Sequence, residues 1–279
     1  MKRAPKIAVV HDMCGFGRCS MTVAFPVLAA MGGQCCPVPT AYLSGHTGFP
    51  DSGRAVFHDM TEQIPGVVSH WEELGVELDA IYSGFLGSAR QVDHLLSFFA
   101  RFRREGALVL VDPVMGDHGK PYRTCTPDLR ARLAELAAQA DVITPNLTEA
   151  SLLLGETYRE SPDAATLRSW LERLSLEGRR SVVITGISTT RSELGAACIE
   201  RASGRIFFAM ARREKGNFPG TGDLFASVLL GALLRGEGLQ SAAAAAVDFV
   251  SKSVHRTLAL GTPALEGVQF EGLLGDLTQ

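Results

Sequence analysis

Residues 216–227 read GNFPGTGDLFAS, and within them Gly220, Thr221 and Gly222 stand directly before Asp223. The run that follows, DLFASVLLGALLRG, carries Leu224, Val228 and Leu229 among its apolar positions and reads as a helix. A glycine-rich turn opening a helix gathers free backbone N–H groups and the positive end of the helix dipole, so it attracts anions. A carboxylate in that place has two readings. One is an N-cap. The other is a two-part site: the amides of Gly220, Thr221 and Gly222 hold the charge that spreads over a phosphoryl group in flight, and Asp223 accepts a hydrogen bond from the attacking hydroxyl and takes its proton. A carboxylate at a helix N-terminus is a weak base. Phosphoryl transfer tolerates that, because its loose transition state depends mainly on orientation and electrostatics.

Further polar residues close other apolar runs. In VDPVMGD, Asp112 and Asp117 flank a proline-containing turn and are suited to holding hydrated Mg²⁺ against phosphate oxygens; Asp-Pro is also a common loop opener. In ITPNLTEASLLLG, Glu149 falls three residues after Asn146, which is the spacing of a capping box. The same pair could face phosphates through Asn146 and a metal-bound water through Glu149, and both uses are compatible because a helix start is itself an anion site. HTGFP at 46–50 offers His46 and Thr47 as polar contacts near Phe49, or a plain surface loop. CGFGRCS at 14–20 lacks the third glycine and the rest of the dinucleotide fingerprint, and no Gly-Lys-Ser or Gly-Lys-Thr of a P-loop occurs.

The elements that must position these residues alternate. KIAVVHD, DAIYSGF, ALVLVDPV, DVITPN and SVVITGIS have the apolar, β-branched character of buried strands. DHLLSFFARFRREG, PDLRARLAELAAQA, ATLRSWLERLSLEG and LQSAAAAAVDFVSKSVHRTLAL have helical spacing. This alternation predicts an α/β fold in three layers, α/β/α, around a largely parallel sheet. GAACIER and GRIFFAMAR read as an antiparallel hairpin towards one edge, and the alanines at 242–246 as a close-packed helix. RCSMTVAFPVLAAMGG has helical spacing with Pro26 inside, so its helix either starts late or is kinked. Ligands of such sheets sit beyond the carboxyl ends of the strands, which directs attention to Asp12, Gly84, Asp112, Asn146 and Thr185-Gly186. No linker or repeat interrupts the chain, and a single domain over 1–279 is expected.

Of the 279 residues 46% are hydrophobic and 20% charged, with a net charge of -3, which gives no basic surface for nucleic acid. No apolar run approaches the roughly 20 residues needed to cross a bilayer. The opening MKRAPKIAVVHDM reads as a first strand rather than a signal segment. The six cysteines form no CxxC pair and are expected to be free thiols in a cytoplasmic protein; the spacing of His11, Cys14 and Cys19 fits no common zinc pattern.

Taken in order, HDMCGFGRCS, HTGFP, VDPVMGD, TPNLTEA, VITGIS and FPGTGDLFAS resemble the pyridoxal kinases of the ribokinase-like superfamily, over residues 6 to about 260. The resemblance implies ATP-dependent phosphorylation of the 5′-hydroxymethyl group of a vitamin B6 vitamer. By that likeness Asp223 is the catalytic base, and Gly220, Thr221 and Gly222 form the anion hole. Asn146 and Glu149 organise Mg²⁺ and phosphates, Asp112 is an acid near the metal and triphosphate, and Thr185 and Gly186 run along the nucleotide. His46 and Thr47 face the substrate, Thr47 as a pyridoxal contact. The segment GDHGKPYRT at 116–124 resembles a mobile flap with Gly116 and Gly119 as hinges. A homodimer and a monovalent cation such as K⁺ beside the nucleotide are further expectations of the likeness, and no nucleic-acid or membrane partner is expected.

Two positions depart from the family pattern. Asp12 stands where better-known members carry a serine that touches the pyridine ring, and Phe85 where related enzymes often have tyrosine. A carboxylate near a pyridine nitrogen favours its protonated form, so Asp12 is expected to grip N1 or the 3-hydroxyl, and an unchanged KM for every vitamer in Asp12→Ala would remove that role. Two rivals stand beside this reading. Hydroxymethylpyrimidine kinases also carry an Asp-Pro-Val-Met run but usually have cysteine after their Gly-x-Gly, and a catalytically silent B6-binding protein would need no base at Asp223. A sugar or nucleoside kinase would commonly bring a small sheet lid, for which residues 12–60 leave little room.

Overall fold

The sheet grows in both directions from its first strand. In this computed structural model, which describes residues 3–49, 53–201 and 203–278, β1 (Lys6–Cys14) has β2 (Gln34–Leu43) and the short β3 (Phe57–Asp59) on one side. On its other side follow β4 (Ala80–Ser83), β5 (Leu108–Val111), β8 (Val142–Ile143), β9 (Ser181–Ile187), β10 (Glu193–Ile199) and β11 (Ile206–Arg212). The intervening β6 (Gly116–Asp117) and β7 (Lys120–Pro121) form a separate two-stranded hairpin. The strands from β2 through β9 pair in parallel, while β3, β10 and β11 add antiparallel edges. The expected hairpin at the edge is therefore present as β10 and β11, and the sheet is mixed rather than purely parallel.

Helices cover both faces. On one lie α1 (Met21–Ala30), α7 (Thr221–Leu234) and α8 (Leu239–Leu260). On the other lie α2 (Ile64–Glu73), α3 (Ala89–Phe102), α4 (Pro127–Ala138), α5 (Leu147–Leu154) and α6 (Ala164–Leu174). Helix α3 shows the logic: Ser88 caps it through Gln91 N–H, and Val92, Leu95, Phe98, Phe99 and Phe102 recur on one face and are buried against the sheet. Burying each such side chain contributes about 1.5–3 kcal/mol. In α8 the alanines make the close approach that the sequence implied, with Ala242, Ala243 and Ala246 fully buried against the neighbouring elements. Among the described residues no helix is long and apolar enough to cross a membrane, and all six cysteines are free thiols.

Three elements differ from the sequence expectation or were absent from it. Helix α1 does not start late: Ser20 is its N-cap, and it runs from Met21 to Ala30 with Pro26 inside it. β2 carries Pro37 and Pro39, which strand patterning disfavours. Its partner β3 covers only Ala41–Leu43, so residues 34–40 lie at a sheet edge, where a missing N–H is tolerated. β8 shrinks to two residues because Pro145 interrupts it, and pairing resumes only at an isolated bridge between Asn146 and Thr185.

The connection from β1 to β2 and that from β4 to β5 run in opposite directions across the sheet, with their helices on opposite faces. The strand order thus reverses at β1 and β4. That places a crevice beyond their carboxyl ends.

Candidate active site

The amide cradle comes first. Gly220 is the N-cap of α7 with φ 81, a left-handed conformation that favours glycine, and a Cβ on it would lie 1.9 Å from the Arg18 carbonyl oxygen. The first intrahelical bond runs from Leu224 N–H to Gly220 C=O at 2.9 Å. The amides of Thr221, Gly222 and Asp223 therefore have no acceptor within the helix. Thr221 itself is turned back, its hydroxyl donating to Phe218 C=O at 3.2 Å.

Asp223 does not spend its carboxylate on those amides. Its Oδ1 lies 2.9 Å from His11 Nε2 and its Oδ2 accepts Ser20 N–H at 2.8 Å. Behind it, His11 Nδ1 lies 2.8 Å from Asp12 Oδ1. His11 and Asp12 are 2% and 3% exposed at the side chain, whereas Asp223 is 13% exposed, so the carboxylate is the member of this chain that reaches open space. Burial alone would strip the proton from His11, but the two carboxylates outweigh it and push its pKa up to about 10. For Asp223 burial works towards protonation; the His11 hydrogen bond and charge, the Ser20 N–H and the nearby His46 bring it below the ordinary carboxylate range.

Asp112, at the end of β5, faces the cradle: a Cβ on Gly222 would lie 4.0 Å from its Oδ2. Burial first, and then the Asp223 charge, push its carboxyl up to about 7, against a weaker opposing pull from His11. Thr144, which follows β8, brings its buried Oγ1 beside Asp112 and adds the smallest pull on that carboxyl.

Asn146 and Glu149 form the capping box that their spacing predicts. Asn146 Oδ1 accepts Glu149 N–H at 2.9 Å, and Glu149 Oε2 accepts Asn146 N–H at 2.9 Å. The remaining groups are also engaged, Glu149 Oε1 by Met115 N–H at 3.0 Å and Asn146 Nδ2 by Gly116 C=O at 2.9 Å. Burial, followed by the charge of Asp112, holds the Glu149 carboxyl well above its usual range. Thr185 and Gly186 lie at the end of β9, half-buried and exposed respectively, with Thr185 N–H bonded to Pro145 C=O at 2.9 Å.

Near Asp223 stands an aromatic group that includes His46. The His46 ring is 5.5 Å from Phe49 and 6.5 Å, edge-on, from Tyr122. Thr47 is half-buried in the turn between His46 and Phe49, and Pro50 of that motif lies outside the described residues. Phe85 packs with Ala41, Leu43 and Val114, and its N–H points at His11 Nδ1 from 3.3 Å. Asp12 is buried, 3% exposed at the side chain, and its Oδ1 is engaged by His11. Residues 116–121 of the segment 116–124 form the β6–β7 hairpin, which is tied by Gly119 N–H to Thr148 Oγ1 at 2.9 Å and by His118 Nε2 to Asn217 Nδ2 at 2.7 Å.

These acids and open amides gather beyond the carboxyl ends of the central strands, and the chain that carries them matches a known family. The model of the family described as phosphomethylpyrimidine kinase matches residues 50–267. A pyridoxal kinase (PdxY) of Deinococcus radiodurans is 29% identical, covering 95% of this chain and 91% of its own. The pyridoxal kinase structure from Lactobacillus plantarum is 32% identical with a TM-score of 0.89, covering 98% and 96% of the two chains. The chain belongs to the pyridoxal kinase family of the ribokinase-like superfamily. Its fold is that of these kinases, and it is a kinase. A Bacteroides thetaiotaomicron protein described as a phosphomethylpyrimidine kinase, crystallised with pyridoxal, is 36% identical with a TM-score of 0.94, covering 99% and 96%.

Four contributors to this kinase site escape sequence reading: His11, the Ser20 amide, Thr144 and Tyr122. Burial first, and then the charges of Glu149, Asp117, Asp223 and Asp112, raise the Tyr122 hydroxyl above its usual range, which locates Tyr122 among the acids of the site. Each lies in or beside a quoted motif, but nothing local marked its side chain or amide as part of the site.

Proposed function

We propose that this chain transfers the γ-phosphoryl group of ATP to the 5′-hydroxymethyl group of a vitamin B6 vitamer, pyridoxal, pyridoxamine or pyridoxine. The observation that carries the reading is the Asp223 carboxylate, held by His11 and Ser20 and turned away from the amides that open its own helix. Asp223 accepts the hydrogen bond of the substrate hydroxyl and takes its proton as the phosphoryl group departs from ATP. The amides after Gly220 receive the charge spread over the moving group. His46, Thr47 and Phe85 border the ring, with Tyr122 opposite. Thr185, Gly186 and Asn146 line the nucleotide side.

A cation fits this site. Asp112 is a buried acid whose carboxyl burial and the Asp223 charge push up to about 7, so a further positive partner would favour its ionised form, and the Thr144 hydroxyl stands beside it. Asp112 would hold Mg²⁺ with Glu149 acting through water, since both Glu149 oxygens already accept backbone N–H groups. Bound Mg²⁺ supplies neutralisation of phosphate charge. A monovalent ion such as K⁺ would use the Asp112 and Thr144 oxygens. The proposal includes a cytoplasmic, homodimeric enzyme forming one domain.

The test is ADP release with Mg-ATP over pyridoxal, pyridoxamine, pyridoxine and hydroxymethylpyrimidine, for wild type and Asp223→Ala. Turnover of a vitamer that falls by about 100-fold or more in the variant, with ligand binding kept, is expected. Turnover of the pyrimidine alone would assign the chain to thiamine synthesis. Binding of pyridoxal without turnover in either protein would make it a silent carrier.

A further inference from the structure

Phosphoryl transfer to an alcohol calls for a group that orients the hydroxyl, an anion cradle and a cation, none of which requires a further charged pair behind the carboxylate. Yet Asp223 is backed by a buried histidine that is itself backed by a second acid. A histidine that merely fills a core is neutral and finds a carbonyl or hydroxyl. His11 instead sits with Nε2 on Asp223 and Nδ1 on Asp12, at 2.9 and 2.8 Å.

The surroundings are shaped to that ring. Gly84, directly after β4, leaves it room, since a Cβ there would lie 2.0 Å from His11 Nε2. The Tyr82 ring meets it edge-on at 6.1 Å. The peptide N–H groups of Asp12 and Phe85 also approach Nδ1, at 3.0 and 3.3 Å; they would serve a ring without a proton there, as the Asp12 carboxylate serves one with it. With Ser20 N–H on the other oxygen, both Asp223 oxygens are held from behind. The Asp223 side chain nevertheless keeps 13% of its surface exposed.

We infer that His11 is a positioning residue for the phosphoryl transfer: clamped by Asp12, its ring fixes the rotation of the Asp223 carboxylate and keeps that group ready to accept the proton of the substrate hydroxyl. The inference rests on the kinase reading above. In the step itself, the hydroxyl proton passes to Asp223 as the new O–P bond forms and the bond to ADP breaks, while His11 keeps its own protons. The charged and titratable groups facing the ring are Asp12 from β1, Asp223 from α7, Asp112 from β5 and Tyr82 from β4. Their balance is acidic, in keeping with a ring that remains cationic at neutral pH.

The experiment compares His11→Leu and His11→Asn with wild type in steady-state kinetics on pyridoxal and Mg-ATP from pH 5 to 10. Nitrogen NMR of the wild-type ring and of Asp223→Asn accompanies it. Expected are a kcat lowered about 10- to 100-fold in His11→Leu, KM values for both substrates within about threefold, partial recovery in His11→Asn, which keeps one donor, and an acid limb of kcat moved to higher pH in both. The ring should carry both protons at pH 8 and lose one at lower pH in Asp223→Asn than in wild type. A folded His11→Leu with wild-type kcat overturns the inference, as does a loss that tracks melting temperature alone with the acid limb unmoved. Should His11→Leu fail to fold, His11→Asn decides by the same acid limb. A wild-type ring that is neutral at pH 8 also overturns it. Wild-type protein without turnover on any vitamer defeats the kinase reading itself, a result distinct from all of these.

Discussion

The donors that hold Asp223 lie 212 and 203 positions away in the chain, the His11 ring and the Ser20 amide. Ser20 presents that amide from φ 58 and ψ -133, a backbone conformation that L-residues rarely adopt and that costs of order 1–3 kcal/mol. Ser20→Gly is therefore expected to raise stability by up to about 1 kcal/mol, read from the denaturant midpoint. Ser20→Pro, without an N–H, is expected to lower both stability and kcat. His11 makes a pH prediction. Its folded pKa of about 10 lies above the ordinary 6.5, so its contribution to stability is complete below pH 6.5 and is lost progressively as pH rises towards 10. Urea unfolding across that range should show a decline in wild type that is absent in His11→Asn. At this scale the Gly-Thr-Gly-Asp stretch and the Asn-x-x-Glu box were legible because their geometry is local. His11 was not, because its partner is set by which strand abuts α7.

Helix α5 shows how one element serves the site. Its capping box engages all four polar ends of Asn146 and Glu149, and two of those bonds leave the helix for Met115 and Gly116, at the base of the β6–β7 hairpin. Asn146→Ala removes the cap acceptor and the tie to Gly116 together. A loss of about 1–2 kcal/mol is expected by chemical denaturation. Faster amide exchange at Gly116 and Asp117 should accompany it, since the hairpin loses an anchor. Strand β2 is the opposite case, hidden from the sequence by Pro37 and Pro39 and allowed only because β3 leaves that stretch of edge uncovered.

Across the whole molecule, the C-terminal segment closes on the loop that supports the base. Arg18 donates from Nε to Glu271 at 2.5 Å, from Nη1 to Glu266 C=O at 3.0 Å and from Nη2 to Gln269 at 2.9 Å. Its own carbonyl lies against Gly220, and Ser20 follows two residues later. Arg18→Met should cost about 1–3 kcal/mol, seen as a lower Tm and as earlier proteolytic cleavage after residue 260. The strand–helix alternation from β4 onward, the amide cradle and Asp112 at the end of β5 follow from periodicity and turn chemistry within a few residues, so the amino-acid string by itself determined them. Which strands are neighbours, how Asp223 is oriented and why Asp12 turns to a histidine were decided by the tertiary structure alone. Those outcomes depend on burial and on charges from distant segments meeting in one dry crevice, and no local pattern records such a meeting.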